Sequence, residues 1–332
     1  MLLIAAPGQG AQAPGFLTPW LDLPGVAEQV GTWSELAGCD LIRCGTKGDA
    51  EEIRDTAVAQ PLLLAAALVA AGALAGPVGG PGGHDRAHPG SQEQAPQLAD
   101  AAAGHSVGEL AAGVISGVIS ADDAMRLVRV RSEAMASAAA AEPTGMTAVL
   151  GGDEQAVLAS VEAHGLTAAN INAAGQVVAA GTLGELAAFA ASPPAGARLR
   201  QLSVAGAFHT RHMAPAVEAL REAAAGVGVS DPVLALLQNR DGQVVSSGRD
   251  WMERIITQVS SPVRWDLCMR TMASIGVTAM LELPPAGTLT GIARRGLPGV
   301  RLVSLRTPDD LEAGRALVAE HANSQAPSER TD

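Results

Sequence analysis

The 332-residue sequence has no tyrosine, and all aromatic residues together make up only 2% of it. Its hydrophobic core must therefore be built mainly from Ala, Val, Leu and Ile. Lysine is almost absent as well, because Lys47 is the only one. Schiff-base chemistry, including attachment of pyridoxal phosphate, would depend on this single residue in a glycine-containing loop without a supporting motif. We therefore exclude it.

Positive charge is outweighed by negative charge in this sequence. Lysine and arginine total 22 residues, aspartate and glutamate total 34, and the formal net charge is -12. Proteins that bind nucleic acid carry clustered positive charge to contact the phosphates. A nucleic-acid partner is therefore not expected.

Cysteine is also scarce, and its spacing excludes two classes of protein. Cys39, Cys44 and Cys268 are odd in number, with no C-x-x-C spacing and no histidine cluster beside them. They predict neither a disulfide framework nor a metal site. The longest apolar run, residues 61–76, is shorter than the ~20 residues of a membrane span, and residues 1–7 lack the basic segment of a signal peptide. We expect a soluble, reduced, cytoplasmic protein without a membrane partner.

Apolar strand patterns alternate with helix patterns along most of the chain. This alternation predicts an α/β fold with a mostly parallel sheet and helices on both faces. The predicted strands of this body are 1–6, 233–238, 279–283 and 300–305. Its predicted helices are 49–59, 61–76, 106–115, 121–140, 215–225, 251–259, 263–275, 289–295 and 311–322.

Between residues 143 and 204 the predicted strands and helices become shorter. Strands at 146–150, 167–171, 177–180 and 198–204 and helices at 153–164 and 183–191 follow the order β-α-β-β-α-β, which is the ferredoxin-like unit. We predict a catalytic body of residues 1–142 and 205–322, an inserted subdomain of 143–204 and a polar tail of 323–332. The Pro- and Gly-rich segment 77–97 is predicted to be a surface loop.

Residues 104–109 read GHSVGE and follow the small residues 101–103. In a strand-turn-helix unit, two glycines flanking a serine allow the sharp turn that lifts the hydroxyl above the sheet, in front of the N–H groups of the new helix. The pattern nominates Ser106 as a nucleophile. In a chain with 38 glycines the same pattern also arises by chance, so the serine needs partners elsewhere.

A serine nucleophile requires a base, and the chain has seven histidines. Context sets aside those in the 77–97 loop, at a subdomain helix end and near the chain end: His84, His88, His164 and His321. His105 adjoins the serine and is expected to brace the turn, which leaves His209 and His212. His209 lies in a small-residue loop where the subdomain rejoins the body and is expected to face a cleft. A histidine that only begins a helix is the alternative.

An arginine lies on the apolar stripe of the helix predicted at 121–140. The stripe recurs at helical spacing and contains Ala124, Leu127, Val128, Arg131 and Met135. Arg126 and Arg129 lie off the stripe and are expected to be solvated. An inward arginine needs an anionic partner. For Arg131 this partner is either a carboxylate of the protein or a substrate carboxylate, which would match the planar guanidinium.

The loop after the first strand reads PGQGAQ at residues 7–12. It lacks the lysine of a phosphate-binding loop and the third glycine of a dinucleotide site, so no nucleotide cofactor is expected. Such a loop can aim a backbone N–H at a developing oxyanion, with the N–H of Val107 as a second donor. A plain glycine-rich turn is the alternative.

Taken in order, these segments resemble the malonyl-CoA:acyl carrier protein transacylases and the related acyltransferase domains of polyketide synthases. The resemblance covers nearly the whole chain, and its motifs are residues 7–12 (PGQGAQ), 60–61 (QP), 104–109 (GHSVGE), Arg131, 206–210 (GAFHT), 261–265 (SPVRW) and, more loosely, 282–287 (ELPPAG). The last segment departs from the family, which usually has Gly-Pro-Gly where this chain has 284–286 (PPA). The resemblance implies an α/β-hydrolase-like body with a ferredoxin-like subdomain.

The resemblance also implies roles for particular residues. Ser106 would be the nucleophile and His209 its general base, with the backbone N–H groups of Gln9 and Val107 as the oxyanion hole. Arg131 would bind the malonyl carboxylate.

Two further positions follow from the same resemblance. The backbone carbonyl of Gln258 would orient His209, and the side chain of Gln258 has no part in this assignment. Phe208 matches the malonyl-selecting form of its motif, because a bulky ring leaves less room for an α-methyl group.

The implied activity is transfer of malonyl from malonyl-CoA to the phosphopantetheine thiol of acyl carrier protein in fatty acid synthesis. It would proceed by a ping-pong mechanism through a malonyl-Ser106 ester, without a cofactor and in a monomer. The carrier is acidic, so Arg294, Arg295 and Arg301 are candidates for a docking patch or for a merely solvated helix end. A polyketide-pathway malonyl transferase, a serine esterase or thioesterase, and a non-catalytic carrier-binding relative are the alternatives.

Overall fold

The computed structural model describes residues 1–76, 98–204 and 206–324. The predicted loop at 77–97 and residues 325–332 of the predicted tail lie outside the described residues. Helices and strands are numbered here in chain order. The helices are α1 Thr18–Leu21, α2 Val26–Ala37, α3 Leu41–Lys47, α4 Thr56–Leu74, α5 Gly108–Ile115, α6 Ala121–Ala141, α7 Glu154–Ala163, α8 Leu183–Ala191, α9 Ala214–Ala224, α10 Gly248–Gln258, α11 Trp265–Ser274, α12 Thr288–Gly296 and α13 Leu311–Ser324.

The larger sheet forms the centre of the body. Its strands are β1 Leu2–Ala6, β2 Ala101–Gly104, β7 Ala235–Leu237, β8 Val244–Val245, β10 Ala279–Glu282 and β11 Arg301–Ser304. They lie in the order β11-β10-β1-β2-β7-β8, and every neighbouring pair is parallel except β7 with β8. All residues of β1, β2 and β10 are buried, as expected for parallel strands covered on both faces. The predicted α/β class with a mostly parallel sheet is confirmed.

The smaller sheet consists of β3 Thr144–Gly151, β4 Thr167–Ala173, β5 Gln176–Thr182, β6 Ala197–Gln201 and β9 Val263–Arg264, in the order β6-β3-β5-β4-β9. Among the first four strands every neighbouring pair is antiparallel, and with α7 and α8 these strands follow the β-α-β-β-α-β order. β9 comes from outside the predicted 143–204 segment and pairs in parallel with β4. The smaller sheet is therefore tied to the body by hydrogen bonds.

Helix α4 is long, apolar and largely buried. Among the described helices it alone is long and apolar enough to cross a membrane. Of its 18-residue apolar segment, 83% is buried inside the protein. It packs against α6 and α5 in the main hydrophobic core.

Three predicted helices have different boundaries in the structure. The helix expected at 49–59 is a 3-10 turn at Glu52–Arg54, followed by a break at Asp55, whose carboxylate caps α4 through the Ala57 N–H at 2.8 Å. Pro61, expected in the first turn of a helix, lies inside α4. The helix expected at 263–275 begins only at Trp265, because residues 263–264 pair with β4. In each case a capping or pairing partner overrides the apolar pattern.

Candidate active site

Ser106 lies on a strained turn between β2 and α5. Its φ of 55° is in the left-handed region, which residues with a Cβ rarely adopt. The flanking glycines are required for steric reasons: a Cβ at Gly104 would overlap the backbone of Gly108, and a Cβ at Gly108 would overlap the carbonyl oxygen of Ala6. The turn therefore presents the serine at the carboxyl end of the sheet, beside the start of a helix.

His209 is hydrogen-bonded to this serine. Its Nε2 lies 2.8 Å from Ser106 Oγ, and its Nδ1 lies 3.0 Å from the carbonyl oxygen of Gln258. Because a carbonyl oxygen only accepts, Nδ1 carries the proton and Nε2 is left to accept from the serine hydroxyl. His209 also has a positive φ of 61°, and its N–H donates to the carbonyl of Val259 at 3.0 Å.

The other two candidate histidines have different partners. His212 Nδ1 lies 2.9 Å from the Glu142 carboxylate. His105 Nε2 lies 2.9 Å from Asn172 Oδ1, and its ring packs edge-on against Trp265 with centroids 5.7 Å apart. His105 is thus held in place by the side chains of Asn172 and Trp265, as expected for a residue that braces the turn.

The environment of His209 favours its neutral form. The side chain is buried, and this burial, followed by the positive charge of Arg131, lowers its pKa from 6.5 to about 3. The imidazole is therefore neutral across the range around pH 7 and can accept a proton at Nε2.

Arg131 projects from α6 into the same site and is only 2% exposed. Nη1 donates to Gln60 Oε1 at 2.5 Å, while Nη2 donates to Gln258 Oε1 at 2.9 Å and lies 3.4 Å from Ser106 Oγ. Within the described residues, no aspartate or glutamate forms an ion pair with this guanidinium. The alternative of a carboxylate partner from the protein is not found there.

The buried guanidinium remains a cation. Burial lowers its pKa to about 10, against a favourable interaction with the buried carboxyl of Glu109. A pKa of about 10 still leaves the group charged near neutral pH. Arg126 and Arg129, by contrast, are half-exposed and pair with Asp123 and Glu133 on their own helix, as the stripe predicted.

The side chain of Gln258 was wrongly left out of the sequence-based assignment. Its Oε1 accepts from Arg131, while its carbonyl accepts from His209. One buried residue therefore contacts both the imidazole and the guanidinium. Gln60 was noticed only as part of a motif, without a role, and is the second acceptor for Arg131.

The loop after β1 lies beside the serine turn. Ala6 of β1 is in register with Gly104 of β2, and the His105 N–H donates to the Ala6 carbonyl at 2.9 Å. Gln9 and Val107 both line the cavity that contains Ser106. The Gln9 side chain donates to the carbonyl of Arg54 at 3.0 Å, which anchors this loop to the turn before α4.

The cavity has a volume of about 90 Å³ and is lined by both Ser106 and His209. Its apolar lining includes Met135 of α6, Met146 of β3 and Val178 of β5. Its lining residues are Gln9, Gln60, His105, Ser106, Val107, Met135, Met146, Asn170, Val178, Leu202, Val204, Phe208 and His209. Phe208 is 94% buried here, since only 6% of it is exposed. In the part of the chain that the structure describes, no group of three His, Cys, Asp or Glu residues could hold a metal ion.

Asn239 was not signalled by any sequence pattern. It follows β7, is fully buried, and hydrogen-bonds both sides of the serine turn: Oδ1 accepts from the Ser106 N–H at 2.8 Å and Nδ2 donates to the Gly104 carbonyl at 2.7 Å. Asn239 is more than a hundred residues from Gly104 and Ser106 in the sequence, so no local spacing indicates this contact.

The three arginines considered for docking are exposed on the body. Arg295 donates to Gln176 at 3.0 Å, and Arg301 pairs with Glu320 at 2.5 Å. The charge of Arg301 is therefore compensated locally.

Comparison with known proteins adds independent information. Residues 91–309 match the acyl transferase domain family. The malonyl CoA-acyl carrier protein transacylase of Mycobacterium tuberculosis is 50% identical over 312 residues, which are 94% of this chain and 98% of that protein. The crystal structure of MCAT from Mycobacterium tuberculosis superposes with a TM-score of 0.86 at 50% identity, over 95% of this chain and 99% of that one. A malonyl-transacylase in complex with a type II PKS acyl-carrier protein superposes with a TM-score of 0.82 at 26% identity, over 95% and 99%.

Proposed function

Because this chain belongs to the malonyl CoA-acyl carrier protein transacylases of the acyl transferase family, we propose that it transfers malonyl from malonyl-CoA to the phosphopantetheine thiol of acyl carrier protein. The transfer proceeds by a ping-pong mechanism through a malonyl ester on Ser106.

The observation that carries the malonyl assignment is the environment of Arg131. A buried cation whose acceptors are two amide oxygens and the Ser106 hydroxyl is costly unless an anion joins it. The malonyl group brings such an anion, and a planar guanidinium binds a carboxylate with two parallel hydrogen bonds. Acetyl and other uncharged acyl groups supply no such partner.

In the first half-reaction, Ser106 Oγ attacks the thioester carbonyl of malonyl-CoA while His209 Nε2 takes its proton. The resulting oxyanion is held by the backbone N–H groups of Gln9 and Val107. It collapses by breaking the C–S bond, so that coenzyme A leaves as a thiolate and the malonyl ester remains on the serine. The proton on His209 then passes to the departing thiolate.

In the second half-reaction, the carrier thiol gives its proton to His209 and attacks the ester carbonyl. The C–O bond to Ser106 breaks, the serine recovers its proton from His209, and malonyl leaves on the carrier. A dyad without a carboxylate suffices here because thiolates leave with little protonation. Arg131 positions the malonyl group for attack by holding its far end.

The assignment of the carrier protein and of the pathway is inferred from the relatives of this chain. The curated relatives are named for acyl carrier protein, and one similar structure is a complex with a type II PKS carrier. We assign this chain to fatty acid synthesis, with Arg294 and Arg295 as the uncompensated part of a docking patch for an acidic carrier. A transfer assay with carriers of both pathways separates the two roles.

Intact-mass measurement after incubation with malonyl-CoA tests the proposal. The expected result is a malonyl adduct on the wild-type protein that disappears when carrier is added, and no adduct on Ser106→Ala. Ser132→Ala, which changes a buried serine on α6 rather than on the turn before α5, is the matched control and should load normally. Rapid release of free malonate without an adduct would instead identify a serine hydrolase.

A further inference from the structure

Asn239 holds the serine turn from behind. Its carboxamide accepts from the Ser106 N–H and donates to the Gly104 carbonyl, so its two ends clamp the residues on either side of His105. By accepting from the Ser106 N–H, Asn239 provides a hydrogen-bond partner for a residue whose φ of 55° is strained. We propose that Asn239 is a positioning residue for malonyl transfer, which fixes the direction of the Ser106 hydroxyl toward His209.

The clamp is itself held rigidly by the backbone. The Asn239 N–H donates to Glu109 Oε1 at 2.8 Å, and the Asn239 carbonyl accepts from the Arg264 N–H at 2.8 Å. Arg264 belongs to β9 of the smaller sheet and Glu109 to α5, so Asn239 connects the serine turn to both of these elements. A side chain fixed at its backbone in this way can hold a strained neighbour in one conformation.

The same carboxamide reaches the group that faces the substrate. Gln258 Nε2 approaches Asn239 Oδ1 at 3.5 Å, and Gln258 Oε1 accepts from Arg131. The main effect of Asn239 is nevertheless on the serine, because its two short hydrogen bonds go to the turn and its contact with Gln258 is long. We therefore expect its loss to slow acylation with every acyl group, whereas loss of Arg131 affects malonyl selectively.

The polar surroundings of position 239 decide how a carboxyl group would behave there. The groups that face it are the Glu109 carboxyl, whose pKa burial raises to about 8, the Cys268 thiol at 3.9 Å, and Gln258 with Arg131 behind it. A protonated aspartic acid has the shape of asparagine and can donate to Gly104 while accepting from Ser106. An ionised aspartate would place negative charge against the Gly104 carbonyl.

This inference rests on the proposed function, and single-turnover acylation of the full chain by malonyl-CoA and by acetyl-CoA tests it. Asn239→Ala should lower both acylation rates by a similar factor, on the order of 10²-fold as for other misplaced reacting groups, with little change in KM. For Asn239→Asp, the rate relative to wild type should rise as pH falls. Thr290→Val, a buried hydrogen-bonding threonine near Glu282, is the control and should keep the wild-type rate.

The outcomes separate the inference from the proposed function. A wild-type protein that does not acylate overturns the proposed function. If the wild type acylates and a folded Asn239→Ala variant acylates at a rate within threefold of it, the positioning role is overturned. A loss of rate that is confined to malonyl-CoA also overturns it. If the alanine variant does not fold, Asn239→Asp decides, because a constant ratio to wild type across pH contradicts the clamp.

Discussion

The guanidinium Nη2 of Arg131 lies 3.4 Å from the hydroxyl oxygen of Ser106, so the buried cation is within hydrogen-bonding reach of the reacting oxygen. A malonyl ester on Ser106 carries its free carboxylate one methylene beyond the ester carbonyl. Under the proposed function, the cation lies within reach of the carboxylate of this short diacid. We therefore propose that the distance between these two residues contributes to the choice of acyl group.

Arg131→Ala should slow loading from malonyl-CoA far more than loading from acetyl-CoA. Hydrogen bonds to a charged group contribute about 1.5–3 kcal/mol, which corresponds to a loss on the order of 10- to 100-fold for the malonyl substrate. Rates of adduct formation from both substrates give the ratio. Arg126→Ala on the exposed side of the same helix is the control, and equal losses with the two substrates would reduce Arg131 to a structural residue.

His209→Gln should slow acylation by roughly 10²- to 10⁴-fold, the range of a lost general base. His212→Gln should leave the rate close to wild type, because His212 is bonded to Glu142 rather than to the serine. Pre-steady-state release of coenzyme A measures both variants. A large effect of His212→Gln with a small effect of His209→Gln would reverse the assignment of the base.

The rate of acylation should not fall near pH 6.5, where protonation of an ordinary histidine base would lower it. The base is active when neutral, and its pKa is lowered to about 3 by burial and by Arg131. Activity of the free enzyme is therefore kept as pH falls through 6.5 and is lost only near the lowered pKa. The measurement is kcat/KM for malonyl-CoA from pH 8 to pH 4.5, and a half-maximal point near 6.5 would show that the imidazole is better solvated than its burial indicates.

Replacing Phe208 by alanine should increase loading from methylmalonyl-CoA relative to malonyl-CoA. The ring lines the cavity next to the base, and one methyl group accounts for about 1–3 kcal/mol of discrimination, or roughly 10- to 200-fold. Competition between the two substrates, resolved by intact mass, gives the ratio directly. An unchanged ratio would place the selecting contact elsewhere in the cavity.

The parts of this molecule that could be predicted from the sequence are those encoded locally. The first strand at 1–6, the two glycines around Ser106 and the apolar stripe that contains Arg131 each follow from local patterns, and the structure has them in those places. The β-α-β-β-α-β order was also readable, because its turns and alternating patterns are short.

What the sequence did not reveal depends on pairing between distant segments. Residues 263–264 are predicted to begin a helix, yet they pair with β4, which lies nearly a hundred residues away in the sequence. Asn239 and the side chain of Gln258 are single amides in unremarkable surroundings. Their importance arises from hydrogen bonds to Ser106 and Arg131, which only the folded chain brings within reach.

The partner that orients His209 is the main-chain carbonyl of Gln258. A peptide carbonyl does not titrate, so acid cannot protonate it as it would an orienting aspartate. It is also supplied by every amino acid, so a point mutation at position 258 changes the contact with Arg131 while keeping an acceptor for the imidazole. If Arg131 binds the acyl carboxylate as proposed, variation at this position is expected to alter the choice of acyl group while the carbonyl still accepts from His209.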